Sequence, residues 1–339
     1  MANKWYEQAG EQGDIVLSTR IRLARNVEGI PFPNGLDPQK QTELCGQITD
    51  HILAIPSPLT RTLGYFSPET VTGGAKRAMA ERYLLPREFA ESGKKRPILL
   101  SEDESVCLIL CHQDHIRLQV MKAGLDLKGA YQIANGLDDM INEGFAYAFD
   151  KQWGYLTQSP ADLGTGMKAS VLLHLPALEA TGEIHTLATA VGKIGLSLQG
   201  TFGQGSTVSG SLYQLSNQIS MGLSEEEALE NLKSITLQIV HREREARKEL
   251  PALETEDTAF RALGILQNAR ILPLGEFTKC LSHLRLGVGM GLIDSVTIEQ
   301  INFLNATMHP ATLWLETPEA DSTEKRDVIR ATKVRQYLE

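Results

Sequence analysis

The chain lacks what would mark it for an oxidising compartment or a bilayer. It has 4 cysteines in 339 residues, too few for a disulfide framework, so a reducing, cytoplasmic setting is expected. No apolar run approaches the roughly 20 residues of a membrane span. The opening Met1-Ala2-Asn3-Lys4-Trp5 has no apolar core of the kind found in signal peptides. Positive charge is outweighed: 33 Lys and Arg face 42 Asp and Glu, a formal net charge of −9. Neither a nucleic-acid partner nor a membrane partner is expected from that balance. Internal repeats and low-complexity segments are missing too. Cys107 and Cys111 lie four apart in an apolar run. On a strand both would point to one face, where buried core thiols are expected rather than a metal pair.

What is present suits a globular protein of one large or two ordinary domains, with 42% hydrophobic and 22% charged residues. Residues 98–110 predict two strands joined by the acidic turn Ser101-Glu102-Asp103-Glu104-Ser105. Val171 to Leu175 predicts another, stopped by Pro176. Gly200 to Gly210 has the composition of a flexible loop. Ser224-Glu225-Glu226-Glu227 is a capping box that opens a helix with apolar Ala228, Leu229, Leu232, Ile235, Ile239 and Val240. The charged run His241 to Glu249 continues it on a solvated face. Pro251 to Asp257 has the character of a linker. Beyond it, Phe260 to Leu272, Leu274 to Leu286 and Ile298 to Met308 show helical spacing, with Gly287 to Gly291 as punctuation and Asp321 to Glu339 as a polar, charged helix. Composition and periodicity therefore give an α+β first domain over residues 1–250 and a helical second domain over 251–339.

Two stretches carry possible anion chemistry. Arg20 and Arg22 sit two apart, so in an extended segment they project to the same side. Arginine's planar fork grips phosphate oxygens in pairs, which suits a polyphosphate clamp; a solvated strand edge is the alternative. Arg326 and Arg330 are four apart and share a helix face, in Arg326-Asp327-Val328-Ile329-Arg330-Ala331. They could bracket a phosphoryl dianion, with Asp327 pairing a guanidinium, or belong to a solvated helix of mixed charge.

The stretches Ser18-Thr19-Arg20-Ile21-Arg22-Leu23-Ala24-Arg25-Asn26 and Ser159-Pro160-Ala161-Asp162-Leu163-Gly164-Thr165-Gly166 together resemble the phosphagen (guanidino) kinases. From about Asp14 to Ala331 the chain resembles their bacterial protein-arginine kinase branch, the McsB type. The Arg326–Ala331 motif and Ala262-Leu263-Gly264-Ile265-Leu266-Gln267-Asn268-Ala269-Arg270 carry that second likeness. The resemblance implies a catalytic domain built on an antiparallel sheet flanked by helices, followed by an all-helical domain that binds phosphoarginine and dimerises. It implies ATP with Mg²⁺, the metal taking no protein side chain. Nucleotide contacts fall to Ser18, Thr19, Arg20, Ile21 and Arg22, to Arg117 in Asp114-His115-Ile116-Arg117, and to Lys168, Ala169 and Ser170. Gln199 and Gly203 stand in the family's flexible loop, Gln199 where an arginine is usual. Arg82 aligns with a histidine on the base side. Arg326, Asp327, Arg330 and Ala331 would bind phosphoarginine.

The chemistry of the acceptor pocket is altered. Phosphorylating a guanidinium, which is cationic and a poor nucleophile, requires carboxylates that hold it in line and draw off its proton. The resemblance puts two glutamates and a reactive cysteine at positions that here are Gln113, Gln204 and Ser159. Glutamine is neutral and no base, and serine stays un-ionised at neutral pH. About three units of negative charge are gone where a cation must sit. Losing one general base slows a reaction by about 10²–10⁴. Asp114 and His112 are the neighbours that could substitute; on a strand Asp114 would face away from Gln113. The turn glycines Gly164, Gly166, Gly200 and Gly203 remain. The expectation is a pseudokinase that binds phosphoarginine, with ATP as a second ligand held by the clamp, and that acts as a reader or regulator of protein arginine phosphorylation without efficient phosphoryl transfer. The alternatives are an active arginine kinase with rearranged acid–base groups, or a structural dimerisation partner without ligand. Expected partners are arginine-phosphorylated proteins, an active arginine kinase, or Clp-type protease machinery, with a homodimer as the expected assembly.

Overall fold

The computed structural model describes residues 3–201 and 210–339. Among these, apolar alternation in the first part of the chain builds one eight-stranded antiparallel sheet and a small hairpin. The strands are β1 (Val16–Arg25), β2 (Leu63–Phe66), β3 (Ile98–Ser101), β4 (Val106–Leu110), β5 (Ile116–Ala123), β6 (Phe149–Asp150), β7 (Gly154–Tyr155), β8 (Met167–His174), β9 (Leu196–Gly200) and β10 (Leu212–Asn217). The sheet order is β2-β3-β4-β5-β1-β8-β10-β9, and β6 pairs with β7. The β3–β4 turn is tied by Asp103, whose Oδ1 accepts from Ser101 Oγ, Ser105 N and Ser105 Oγ. Short polar side chains that bond nearby backbone stabilise such turns.

The helices are α1 (Pro38–Ala54), α2 (Pro58–Arg61), α3 (Gly73–Glu81), α4 (Arg87–Glu91), α5 (Leu127–Gly144), α6 (Pro176–Ala180), α7 (Ile184–Gly192), α8 (Glu225–Glu249), α9 (Ala252–Asn268), α10 (Leu274–Gly289), α11 (Ile298–Thr307), α12 (Pro310–Glu316) and α13 (Thr323–Leu338). One face of the sheet, with Ile21, Leu23, Leu118, Val120 and Val171, is buried under Ile48 of α1, Leu137 of α5 and Leu232 of α8. The Ser224 capping box opens α8, with Glu227 answering the Ser224 backbone. On the opposite face α3, α4 and the residues between them cover one end, where Met79, Leu84 and Phe89 meet Ile98, Leu100, Cys107 and Ile109, and Trp5, Tyr6 and Ala306 of α11 cover Met121. A further buried cluster lies wholly within α9 to α13 and their connections, from Ala259 to Leu338.

Several local expectations change. Pro251–Asp257 is no linker: Pro251 is the N-cap of α9, which starts at Ala252. Proline suits a helix start and acidic residues suit its first turns, so the same composition has a helical meaning. Gly287 does not interrupt α10, which runs to Gly289. A Cβ on Gly287 would lie 2.7 Å from the Ala259 Cβ, so glycine there lets α9 and α10 approach closely. The helix α12 starts at Pro310 without a capping bond from the His309 side chain, and its cap comes from elsewhere. The Glu81 carboxylate of α3 accepts from Ala311 N, Thr312 N and Thr312 Oγ1. Cys107 and Cys111 do not share a face. The strand ends at Leu110, and Cys111, at φ 49°, turns into the core cluster on the other side of the sheet. No described helix is long and apolar enough to cross a membrane.

Candidate active site

The uncovered part of the sheet is where the charged strand residues emerge. Strand register decides which side chains share that face, because directly opposed residues point the same way. Arg22 of β1 lies opposite Gln119 of β5 and Lys168 of β8, and Arg20 lies opposite Ser170. Arg117 is two residues before Gln119 on β5. Gln214 of β10 opposes Gln199 of β9 and, across β8, Leu172. Arg20, Arg22, Arg117 and Lys168 therefore converge from three adjacent strands.

Their hydrogen bonds go to neutral groups. Arg20 donates through Nε to Ser170 Oγ (3.2 Å) and through Nη2 to Gln214 Oε1 (2.7 Å). Arg117 Nη1 donates to Gln113 Oε1 at 2.7 Å. Arg22 Nε is buried with no partner among the described residues. Burial, and then Arg117, pushes Arg20 down to about 10. Burial, then Arg20 and Arg117, holds Arg22 well below its ordinary value. Burial, then Arg22, lowers Lys168. Asp162 and Glu88 act on Arg22 in the opposite direction, without relieving it. Cations that depress one another in this way are stabilised by a polyanion, and the buried Arg22 donor needs an acceptor.

The remaining nucleotide-site candidates divide by face. Ser18 and Ser170 are on the clamp side. Ile21 and Ala169 belong to the buried core, and Thr19 Oγ1 donates to Gly124 O and accepts from Asp126 N, securing the entry to α5. These three can offer a ligand backbone groups only. Gln199 is exposed near the end of β9. Gly203 and Gln204 lie outside the described residues. Arg82 is not brought to the clamp. Its Nε and Nη2 pair with Glu104 at 2.7 and 3.3 Å.

Lys168 is delivered by a tight turn. Ser159 precedes a short 3-10 turn, Pro160–Asp162, and its carbonyl accepts from Thr157 Oγ1. Gly164 follows at φ 108°, where a Cβ would strike the Ser220 carbonyl. Arg25 braces the turn from below. Its Nη1 donates to Thr165 O, its Nε to Asp138 Oδ2 (2.9 Å), and its guanidinium lies 3.6 Å from the Tyr155 ring centroid.

Residues 111–115 are not strand but a compact excursion between β4 and β5, closed by Cys111 N donating to His115 O. Gln113 emerges toward Arg117, while Asp114 is wholly buried. Asp114 Oδ1 accepts from Asn26 Nδ2 (2.7 Å) and Gln158 N (2.8 Å), so that carboxyl fastens three segments and does not replace a glutamate at Gln113. Burial foremost pushes it up. His112 packs edge-on against Phe89 at 4.7 Å between centroids. Burial, then Arg117, holds it down at about 4, so it is neutral at pH 7.

The C-terminal motif is split by packing. Arg330 is among the largest fully buried side chains. Its Nε donates to Met308 O (2.8 Å), and its Nη1 to Leu272 O and Asp327 Oδ1 (both 2.7 Å). Arg326 instead reaches Ala320 O and Thr323 Oγ1. It lines a cavity of about 360 Å³ with Arg77, Glu81, Trp314 and Asp321. Ala331 is core. The structure thus joins Asp327 to Arg330 and points Arg326 elsewhere. Sequence reasoning missed Gln214, Gln119 and Asn26. The alternation Leu212-Tyr213-Gln214-Leu215-Ser216-Asn217 could have marked Gln214 as an outward strand residue.

A family model described as ATP:guanido phosphotransferase, C-terminal catalytic domain, matches residues 48–246. One described as protein-arginine kinase McsB C-terminal domain matches residues 252–339. The protein-arginine kinase of Halothermothrix orenii is 38% identical, across 98% of this chain and 96% of its own length. That of Bacillus subtilis is 37% identical, across 99% and 93%. Among solved structures, the duplicated taurocyamine kinase from Schistosoma mansoni with bound transition-state analogue components aligns at a TM-score of 0.61 and 23% identity. The match covers 72% of this chain and 34% of that one, so this chain spans about a third of its length. Lombricine kinase aligns at 0.59 and 21% identity, over 69% and 67%. These structural likenesses bear on the fold, an antiparallel sheet with flanking helices of the phosphagen-kinase kind.

Proposed function

Because the chain belongs to the ATP:guanido phosphotransferase family, in its protein-arginine kinase branch, we propose that it is a pseudokinase of that branch. It holds nucleotide phosphates and phosphoarginine without efficient phosphoryl transfer. One observation carries the proposal: Gln113 meets the cleft as an amide bonded to Arg117. An arginine acceptor entering there would face cations and an amide rather than a carboxylate able to hold it and take its proton. The clamp itself suits ATP. Arg20, Arg22, Arg117 and Lys168 present donors to a polyphosphate, and the buried Arg22 Nε supplies one that needs an acceptor. The Mg²⁺ that this family uses with ATP would be held by the phosphates.

Phosphoarginine is assigned to the α13 motif, with Arg326 as the accessible contact and the Asp327–Arg330 pair fastening the helix that carries it. In this role the protein docks arginine-phosphorylated proteins or regulates an active arginine kinase, feeds Clp-type proteolysis, and works as a cytoplasmic homodimer. A second reading, an active kinase, draws on Asp162, the acid whose charge supports both Arg22 and Lys168. Incubating the purified protein with Mg·ATP and an unfolded arginine-rich substrate separates the two. We expect no phosphoarginine, while ATP and phosphoarginine each raise the melting temperature. Robust turnover that Lys168→Ala abolishes overturns the proposal.

A further inference from the structure

We infer that Gln113 makes the acceptor end of this cleft an anion subsite, selecting an acceptor-only polyanion, a linear triphosphate chain, over any guanidinium. The inference rests on the reading of the cleft as a phosphate site and goes further by giving Gln113 a role of its own.

The orientation of the Gln113 amide is fixed by its neighbour. Arginine has five N–H donors and no acceptor, so only the amide oxygen can face Arg117 Nη1. The 2.7 Å bond therefore turns Nε2 and its two hydrogens away from Arg117. That amide nitrogen has no acceptor among the described residues, and Gln113 is half-exposed on the cleft side of the 111–115 excursion. Gln113 is joined through Arg117 to a set of donors: Arg117 acts electrostatically on Arg22, whose buried Nε has no partner among the described residues, and on Lys168 opposite it. Two acids oppose the four cations, Asp162, which acts on Arg22 and Lys168, and Glu88, which acts on Arg22, and they leave the site net positive; the nearest chain neighbours of Gln113 add no free carboxylate. Asp114 is engaged by Asn26 and Gln158, and His112 lies against Phe89.

A ligand group at this end finds donors and positive charge. A guanidinium, itself donor-only, meets only donors at Gln113 Nε2 and Arg117 and adds a like charge to them. A phosphate oxygen accepts from Gln113 Nε2 and from the cations together. A glutamate at this position would do the reverse, pairing with Arg117 and cancelling one of the four positive charges. Glutamine is thus a specificity-determining residue and not only an absent base.

The test uses the full chain and titration calorimetry, with inorganic tripolyphosphate as the probe and free arginine as the comparison. Wild type is expected to bind tripolyphosphate and to show no saturable arginine binding. Gln113→Glu is expected to weaken tripolyphosphate binding at least about tenfold, by placing a negative charge against the ligand and neutralising Arg117. Gln113→Met, of similar length and without donors, is expected to weaken it about fivefold, and it serves if the glutamate variant fails to fold. Tripolyphosphate affinity unchanged in the variant that folds, no tripolyphosphate binding by wild type, or saturable arginine binding by wild type overturns the assignment. Phosphoarginine formation from Mg·ATP is scored separately and bears on the pseudokinase reading, which survives an unchanged Gln113→Glu affinity.

Discussion

The two arginines of the α13 motif should respond to mutation in opposite ways. Arg330 is 1% exposed and spends its guanidinium on Met308 O, Leu272 O and Asp327. Arg330→Ala removes three hydrogen bonds made by a charged donor, leaves two backbone carbonyls short of a partner and strands the Asp327 carboxylate. Each lost bond of this type is worth about 1.5–3 kcal/mol. Relief of the buried charge offsets part of the sum, and removing one partner of a buried pair costs about 3–5 kcal/mol net. The carbonyls lie in the α9–α10 connection and at the end of α11, so the loss falls on the packing of the C-terminal helices. Arg326→Ala removes two longer bonds, 3.3 and 3.1 Å, at a half-buried site, and should cost no more than about 1 kcal/mol. Urea denaturation followed by circular dichroism measures both, since a shift in midpoint at constant slope reports stability. Equal midpoints for wild type and Arg330→Ala would refute the reasoning. A practical consequence follows for ligand binding: only Arg326→Ala can report on phosphoarginine contact without confounding it with unfolding.

Two further outcomes follow from the geometry. His112 titrates at about 4 in the folded protein against about 6.5 in an unfolded chain. The unfolded state therefore takes up its proton first, and stability present above about pH 6.5 is lost as pH falls toward 4; discounted for partial exposure, the contribution is about 1–2 kcal/mol. Denaturation midpoints between pH 7 and 4 should fall less steeply in His112→Gln, and parallel curves would contradict this. Gly164→Ala forces a side chain into a φ of 108° and against the Ser220 carbonyl, which should cost about 2–4 kcal/mol in thermal melts and weaken tripolyphosphate binding by displacing Lys168. An unchanged melting temperature would show that the turn can relax.

The fold was legible where a pattern has one structural meaning. The Ser224 capping box followed by helical spacing leads to α8, and the acidic turn between two apolar runs leads to the β3–β4 hairpin. It was illegible where one composition serves two structures. Proline and acids at 251–257 suit a linker and a helix start alike, and only the core under α9 favours the helix. The α12 cap comes from Glu81, about 230 residues away, so only Pro310 at its first position announces the helix locally. Cys111 shows a related failure: period-2 reasoning holds only while the strand lasts, and a left-handed residue ends it.

The candidate site divides along the same line. That Arg20 and Arg22 share a side follows from alternation within one strand. That Lys168, Arg117 and Gln214 join them follows from register across β8, β5 and β10, which a single strand does not encode. Helical spacing likewise puts Arg326 and Arg330 on neighbouring positions of one face but is silent on which of them the C-terminal core will enclose. Gln113 is the sharpest case. Its neutrality is visible in the sequence, and by itself neutrality only removes a base. Its hydrogen bond from Arg117 sets the direction of the amide, and with it the sign of the group presented to a ligand. The same residue thereby changes from a missing carboxylate into a donor that belongs with the cations around it, a distinction that depends on one neighbour's lack of any acceptor.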